Sequence, residues 1–554
     1  MQALRRIPAQ NPESPNPCTH YEVDATNRER QPSIRRDMHG ILGFALSLAC
    51  LFLTPALCAA QPQSKPAYAP IPKARVTIAQ GALEGTEPAP GIFAYLGIPF
   101  AQPPVGNLRW RAPQPPKPWH GTFLADSHGA PCPQLDEGWN HWDTLHYSEN
   151  CLHLDVWTSA HARNLPVMVY IHGGSNLAGD GFSSGLPLVT HGVVFVTIEY
   201  RLDIFGFYRT AALDKASAHH TSGDYGLLDQ IAALQWIHNN IARFGGNPNK
   251  VMIFGQSAGA VDTGLLLTSP LARGLFTSAL EESGQVLGLM PTATKSESEI
   301  AWAPVSRALG PTLAAQRALT AAQVLAIDKQ APLPPPVTWW GYRGASVNGW
   351  VLPQMPWRVY QAGKEDPVPL ILGTNAREIV PTGQTSRQLA HVMAETLGYK
   401  AAARLDADYL NHPSPLLGSP SARFATDHDF HCAIRLLANW HAAHGYPTWV
   451  YRFDRPDPGQ TSAFHTSELF YLLNFFPGHA KPTPQDLRIG RDLDLYWSSF
   501  AKTGVPTGPA AWPRYTAAQH APWLDIPKSG TDIHAVHAPF GGEACAIMDP
   551  SYPK

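Results

Sequence analysis

The chain has 554 residues, with 41 basic side chains against 43 acidic and a formal net charge of -2. That balance excludes a polybasic nucleic-acid binder and a protein held to acidic membranes by charge. Charged residues make up 15% and hydrophobic residues 44%, the opposite of a disordered composition and enough for a large core. The length allows roughly two to four domains, or one large α/β domain with insertions.

Residues 1–37 form a polar, Pro-rich N-terminal extension, which a start at Met38 would leave untranslated. Arg35-Arg36 then precede an uncharged apolar run, 41–60, that ends Cys58-Ala59-Ala60. A basic start, an apolar centre and a small-residue exit predict a signal peptide over 38–60. A run of this length is also long enough to span a bilayer. Pro55 and the small exit favour cleavage, leaving no stable membrane anchor and a secreted or periplasmic protein. Cleavage after Ala60 removes Cys18, Cys50 and Cys58 and leaves Cys132, Cys151, Cys432 and Cys545. An even set in an exported chain predicts two disulfides.

Residues 61–74 (QPQSKPAYAPIPKA) read as a flexible linker, and 75–554 as one large domain. Short apolar runs recur at 167–171 (VMVYI), 193–198, 251–254 (VMIF), 368–373 (VPLILG) and 449–453 (WVYRF). They suit strands buried on both faces of a mostly parallel sheet. Between them, Leu227, Ile231, Leu234, Ile237 and Ile241 step at helical spacing until Gly245-Gly246. The alternation predicts an α/β fold. Residues 285–365 break the pattern with two helix-like segments and a Pro-rich stretch, and predict a helical insertion over the sheet edge. Thr320 with Gln323 predicts a capping box there.

The sharpest chemical signal is Gly255-Gln256-Ser257-Ala258-Gly259, placed between the run VMIF and a helical run. Small flanks at a strand–turn–helix junction are what an exposed, strained serine nucleophile requires. A serine hydroxyl needs a base and donors for the oxyanion it creates. His172-Gly173-Gly174 follows the run VMVYI, so the N–H groups of Gly173, Gly174 and Ala258 are the candidate oxyanion hole. The base is expected after Ser257 in the chain, and His465 follows the run WVYRF. His441 and His444 read as helix-end residues, and His520, His534 and His537 follow no strand. The candidate acid is Glu378, after VPLILG, with Glu282 one strand earlier as the alternative. The chain has no His-Glu-x-x-His, no P-loop and no dinucleotide fingerprint, so no metal and no cofactor is expected.

These motifs, in this order, resemble the type-B carboxylesterase family of carboxylesterase- and cholinesterase-like proteins, in a bacterial-type member. The resemblance covers GIPFAQPPVGNLRW, SENCLHLDVW, EYRLDIFGF, the long segment through GQSAGA, GTNAREI, AFHTSELFYLL and DLDLYWSSFAKTGVPTGPAAWPRY. It implies an α/β-hydrolase fold: a mostly parallel central sheet flanked by helices, with a helical insertion. It also implies a triad of Ser257, Glu378 and His465 and the oxyanion hole already named. Disulfides Cys132–Cys151 and Cys432–Cys545 and a structural Arg109–Glu149 ion pair are implied as well. The implied reaction is serine-dependent hydrolysis of a small-molecule carboxylic ester through an acyl-enzyme. A lipase, or an esterase for a bulky natural or xenobiotic ester, is the alternative on the same fold. A non-catalytic adhesion or binding member is the alternative of another class, opposed by retention of all three triad residues.

Departures from the family pattern bear on specificity. Gln256 replaces a Glu, which argues against a cationic leaving group. Ser175 replaces a third Gly, and Asn176 replaces an aromatic, which predicts a more polar pocket floor. Arg377 and Ile379 flank the acid where Asp and Gly are usual, so its loop is expected to differ. Gln256, Ser175, Trp339 and Trp340 are the candidate substrate-binding residues, the two Trp being equally readable as core of the insertion. The oligomeric state is left open.

Overall fold

The computed structural model describes residues 74–288, 290–332, 344–378, 386–412, 414, 417–476, 480–517 and 521–549. The extension, signal and linker expected before residue 74, and Trp339 and Trp340, lie outside the described residues. Thirteen strands are present among them: β1 (Ala74–Ile78), β2 (Gly81–Ala89), β3 (Ile92–Pro99), β4 (Thr122–Leu124), β5 (His153–Ser159), β6 (Leu165–Ile171), β7 (Val194–Ile198), β8 (Gly246–Gln256), β9 (Ser278–Glu282), β10 (Leu370–Asn375), β11 (Thr448–Phe453), β12 (Trp523–Ile526) and β13 (His534–Val536). Twelve follow one another in the order β1-β2-β3-β5-β7-β6-β8-β9-β10-β11-β12-β13, while β4 pairs with β2. Along that order, pairing is parallel from β7 to β12 and antiparallel on both flanks, while β4 joins β2 in parallel.

The run of β-branched and aromatic residues explains the parallel centre. Side chains alternate between faces of a strand, so a doubly covered sheet needs apolar residues at every position. Val167, Val169, Ile171, Val251 and Ile253 enter one layer. Met168, Tyr170, Met252 and Phe254, their neighbours in sequence, enter the other. The first layer is closed by helices Tyr225–Asn240, Ala258–Thr268 and Cys432–Ala443, through Leu234, Val261 and Leu437 among others. The second is closed mainly by helix Pro484–Thr503, through Leu493, Trp497 and Phe500. The predicted helix over 227–241 tightens into a 3-10 turn at Ile241–Phe244 and stops at Gly245, where φ is +83°.

The insertion is helical, as expected. Helices Lys295–Leu309, Leu313–Ala318 and Ala321–Gln330 are capped by Thr294, Thr312 and Thr320, and the Thr320–Gln323 capping box forms. Trp302 and Val305 bury into the first layer, and Trp302 meets Tyr208 edge-on at 5.5 Å. Arg109 binds Glu149 through two hydrogen bonds of 2.7 and 2.5 Å and donates to the Leu319 carbonyl, which ties the insertion to the scaffold. A deeper pair joins Arg201 to Asp229 of helix Tyr225–Asn240, both fully buried.

Both predicted disulfides are present. Cys132–Cys151 closes a short loop, whereas Cys432–Cys545 spans 113 residues and joins a small apolar cluster around Leu405, Tyr409 and Ile547. Under the chain-entropy account, a loop of about 100 residues contributes roughly 4–5 kcal/mol. The Cys432→Ala/Cys545→Ala double variant is therefore expected to lose about 4 kcal/mol, read as a lower denaturant midpoint under non-reducing conditions. An unchanged midpoint would show that the bridge contributes nothing.

Candidate active site

Because β6 through β12 run parallel, their C-terminal ends open on one edge of the sheet. Four of the loops there carry the residues singled out in the sequence. Ser257 sits between β8 and helix Ala258–Thr268 with φ +57° and ψ -123°, a conformation L-residues adopt only under constraint. The constraint is visible. A Cβ at Gly255 would overlap the Gly259 backbone, and one at Gly259 would overlap the Ile171 carbonyl. The Ser257 N–H donates to the Glu282 carbonyl at 2.8 Å, which pins the turn to β9.

The loop after β6 is a second tight turn. Gly174, Ser175 and Asn176 have φ of +102°, +59° and +56°. A Cβ on Gly173 would stand 2.7 Å from the Gln256 carbonyl and 3.1 Å from the Ser257 Cβ, so this loop lies directly over the serine. Ala258 is the first residue of the following helix, where N–H groups are free of helical partners. Ser175 is exposed at the rim. The polar pocket floor expected from Asn176 is not what forms. Asn176 is buried, donates to Asp262 at 2.9 Å and accepts from the Tyr200 hydroxyl, because the turn at 174–176 directs its side chain into the first layer. The Tyr200 hydroxyl shares its proton with the His172 carbonyl, 2.7 Å away, so it fixes the loop.

His465 follows β11, and its Nδ1 lies 2.7 Å from Glu378 Oε2. Glu378 follows β10 and is buried. Its Oε1 accepts from Thr374 Oγ1 at 2.5 Å and the Asn375 N–H at 2.6 Å. Burial alone would raise the Glu378 pKa. The hydrogen bond and charge of His465, with the Thr374 and Asn375 donors, outweigh it and hold the carboxyl below its usual range. Burial likewise opposes charge on His465, but Glu378 and then Glu468 raise its pKa above the ordinary value of 6.5. Arg377, in place of the usual Asp, lays its guanidinium over Phe464 at 5.2 Å, and its backbone N–H donates to the Ala463 carbonyl. This strap joins the Glu378 loop to the His465 loop.

The alternatives sort themselves by contact. Glu282 is buried against Trp497, which donates to it at 2.7 Å, and burial with the nearby Glu468 charge raises its pKa well above the usual carboxyl range. His441 binds Glu365 and the Val368 carbonyl within the core, and His444 binds the Gln361 carbonyl. Among the described residues, no group of three His, Cys, Asp or Glu side chains could hold a metal ion.

Two contributors escaped the sequence reading. Glu468, three residues after His465, accepts from Ser283 at 3.2 Å and from the Asn375 amide; burial and then the Glu378 charge push its pKa up to about 7. Its place in His-Thr-Ser-Glu was the available signal. Trp139, inside the Cys132–Cys151 loop, brings its ring edge to Gly174 and remains 59% exposed, so it stands at the mouth of the site. No periodicity marks a residue placed by a loop.

Comparison with known proteins places the chain beside esterases. The Carboxylesterase family model matches residues 72–540. A fumonisin B1 esterase of Sphingopyxis macrogoltabida is 35% identical, covering 78% of this chain and 83% of that protein. The para-nitrobenzyl esterase of Bacillus subtilis (strain 168) is 32% identical, covering 79% and 92%. A solved PNB esterase structure superimposes with a TM-score of 0.74 at 29% identity, over 87% of this chain and 99% of that one.

A titration follows from the Glu378–His465 contact. His465 is expected to lose its charge above pH 6.5 in the wild type, and Glu378→Gln to lower that midpoint by about 1–3 units. Histidine NMR resonances followed against pH measure both. A midpoint unmoved by Glu378→Gln would contradict the coupling.

Proposed function

The chain belongs to the carboxylesterase family and is a carboxylic ester hydrolase of the α/β-hydrolase fold, and from that premise we propose that Ser257, His465 and Glu378 perform the reaction. Ser257 Oγ attacks the ester carbonyl carbon while its proton passes to His465 Nε2. The resulting oxyanion rests on the N–H groups of Gly173, Gly174 and Ala258. Glu378 holds the proton on Nδ1, which leaves Nε2 unprotonated as the base, and stabilises the imidazolium that forms. The bond to the leaving oxygen breaks as Nε2 returns the proton to it, and the alcohol departs. Water then attacks the acyl-enzyme by the same steps and releases the carboxylate. The observation that carries this reading is the 2.7 Å contact between His465 Nδ1 and a buried Glu378 with two further donors on its other oxygen.

The substrate class we infer is an ester with a bulky acyl or alkoxy group. Two supports bear on it. Relatives carry the names fumonisin B1 esterase, cocaine esterase and para-nitrobenzyl esterase. Trp139 offers an open aromatic face beside Gly174. Trp339 and Trp340 stay candidates for the same wall.

We further infer that the catalytic domain spans 75–554 and is exported by a signal at 38–60, after an extension at 1–37 and before a linker at 61–74. Two disulfides support an oxidising compartment, secreted or periplasmic. No helix among the described residues is long and apolar enough to cross a membrane.

Ser257→Ala is expected to reduce turnover by a factor on the order of 10³ or more, with the thermal midpoint little changed. Retained turnover would mean another nucleophile. Across p-nitrophenyl esters, activity is expected to favour bulky aryl acyl groups over long chains. A steady rise from acetate to palmitate would replace this reading with that of a lipase.

A further inference from the structure

The His465 ring has two faces to account for. Nδ1 is committed to Glu378. At the other end, the amide Nε2 of Gln256 lies 3.3 Å from His465 Nε2. Gln256 is the last residue of β8, directly before the nucleophile, and is buried. The tautomer settles which amide atom faces the ring. With its proton on Nδ1 facing a carboxylate, a neutral imidazole presents a bare lone pair at Nε2. Only the N–H end of the amide can meet that lone pair. The Gln256 Oε1 end faces the loop after β6, where a Cβ on Gly173 would stand 3.2 Å from it.

The electrical surroundings give this contact a role. Glu378 from the loop after β10 and Glu468 from the helix after His465 both favour the imidazolium. Glu282 of β9 feels the Glu468 charge, and Trp497 donates to it. Arg377 sits over Phe464 beside the ring. The π-helical turn Asp427–His431 contributes Phe430, whose ring meets His465 edge-on at 5.4 Å, and His431, which binds the Asn375 carbonyl and Asp427. A third carboxylate at position 256 would push the base further towards its protonated, inactive form. A neutral amide donor does the reverse, because it can bind only the unprotonated nitrogen.

We propose that Gln256 is a positioning residue for the base: its amide N–H caps the His465 Nε2 lone pair in the resting enzyme, keeps the imidazole neutral, and yields that nitrogen to the Ser257 hydroxyl when substrate binds. The inference rests on the triad reading given above. It makes position 256 a setting for the pH range of the enzyme, alongside any contact it makes with the leaving group.

The test is the pH profile of kcat/KM for p-nitrophenyl butyrate, measured on wild type, Gln256→Glu and Gln256→Met, with thermal midpoints alongside. Both variants are expected to move the acid limb to higher pH, Glu by about one unit or more and Met by less. A merely structural role would lower activity without moving the limb. A folded Gln256→Met whose limb coincides with the wild type overturns the proposal, even if Glu shifts it through charge alone. If Gln256→Met fails to fold, the ¹⁵N resonance of His465 Nε2 in the wild type decides. An unprotonated, hydrogen-bonded nitrogen supports the cap, and a protonated Nε2 in the neutral ring overturns it. Ser257→Ala is assayed in parallel. If it loses turnover while the limbs stay fixed, the cap alone is wrong. If it keeps turnover, the triad reading falls and takes the cap with it.

Discussion

The close approach of three backbone segments at Gly255, Gly259 and Gly173 governs the rest of the site. β8 must reverse into helix Ala258–Thr268 within one residue, and that residue, Ser257, takes φ +57°. Such a conformation costs on the order of 1–3 kcal/mol and persists only where its surroundings determine it. Here the missing side chains at Gly255 and Gly259 let helix, strand and the end of β6 touch, and the Glu282 carbonyl holds the Ser257 N–H. The same contact that strains Ser257 also brings Gly173 over it. Nucleophile and candidate oxyanion donors are thus products of one packing event, which is why small residues recur on all three segments.

A second constraint is the sorting of buried carboxyls. Glu378, Glu468 and Glu282 are all buried; the first two act on His465, Glu282 lies close enough to Glu468 to feel its charge, and three negative charges this close together could not coexist. Their surroundings set them apart. The His465, Thr374 and Asn375 donors hold Glu378 below its usual range; burial and the Glu468 charge raise Glu282 well above its own, against the single Trp497 donor; burial and the Glu378 charge bring Glu468 to about 7. The sign for stability follows. The depressed Glu378 contributes stability above its unfolded pKa that is lost as pH falls through its folded value. The raised His465 contributes stability below about pH 6.5 that fades as pH rises through its folded pKa. The two overlap over the mildly acidic range.

Much of this was legible in the residue order. Strand runs such as VMVYI and VMIF needed only their apolar composition, because strands covered on both faces cannot alternate. Ser257, Gly173 and the capping box at Thr320 were legible because glycine and threonine there answer to backbone geometry, which is local. The disulfide pairing came from family resemblance, and counting cysteines alone left it open. Asn176 was misread because a polar residue beside a pocket can turn inward once Tyr200 and Asp262 are present, and those partners are distant in sequence. Glu468 and Trp139 were missed for the same reason: one acts through a through-space charge, the other through a disulfide-closed loop. What tertiary contact alone decides, no local pattern announces.

The account stands on Ser257 as the atom that carries the acyl group. The direct measurement is mass spectrometry of enzyme mixed with a p-nitrophenyl ester, quenched in acid during steady turnover and digested. The acyl mass is expected on the peptide that contains Ser257 and on no other. Steady ester turnover with that peptide unmodified, or an adduct on a different residue, would contradict it.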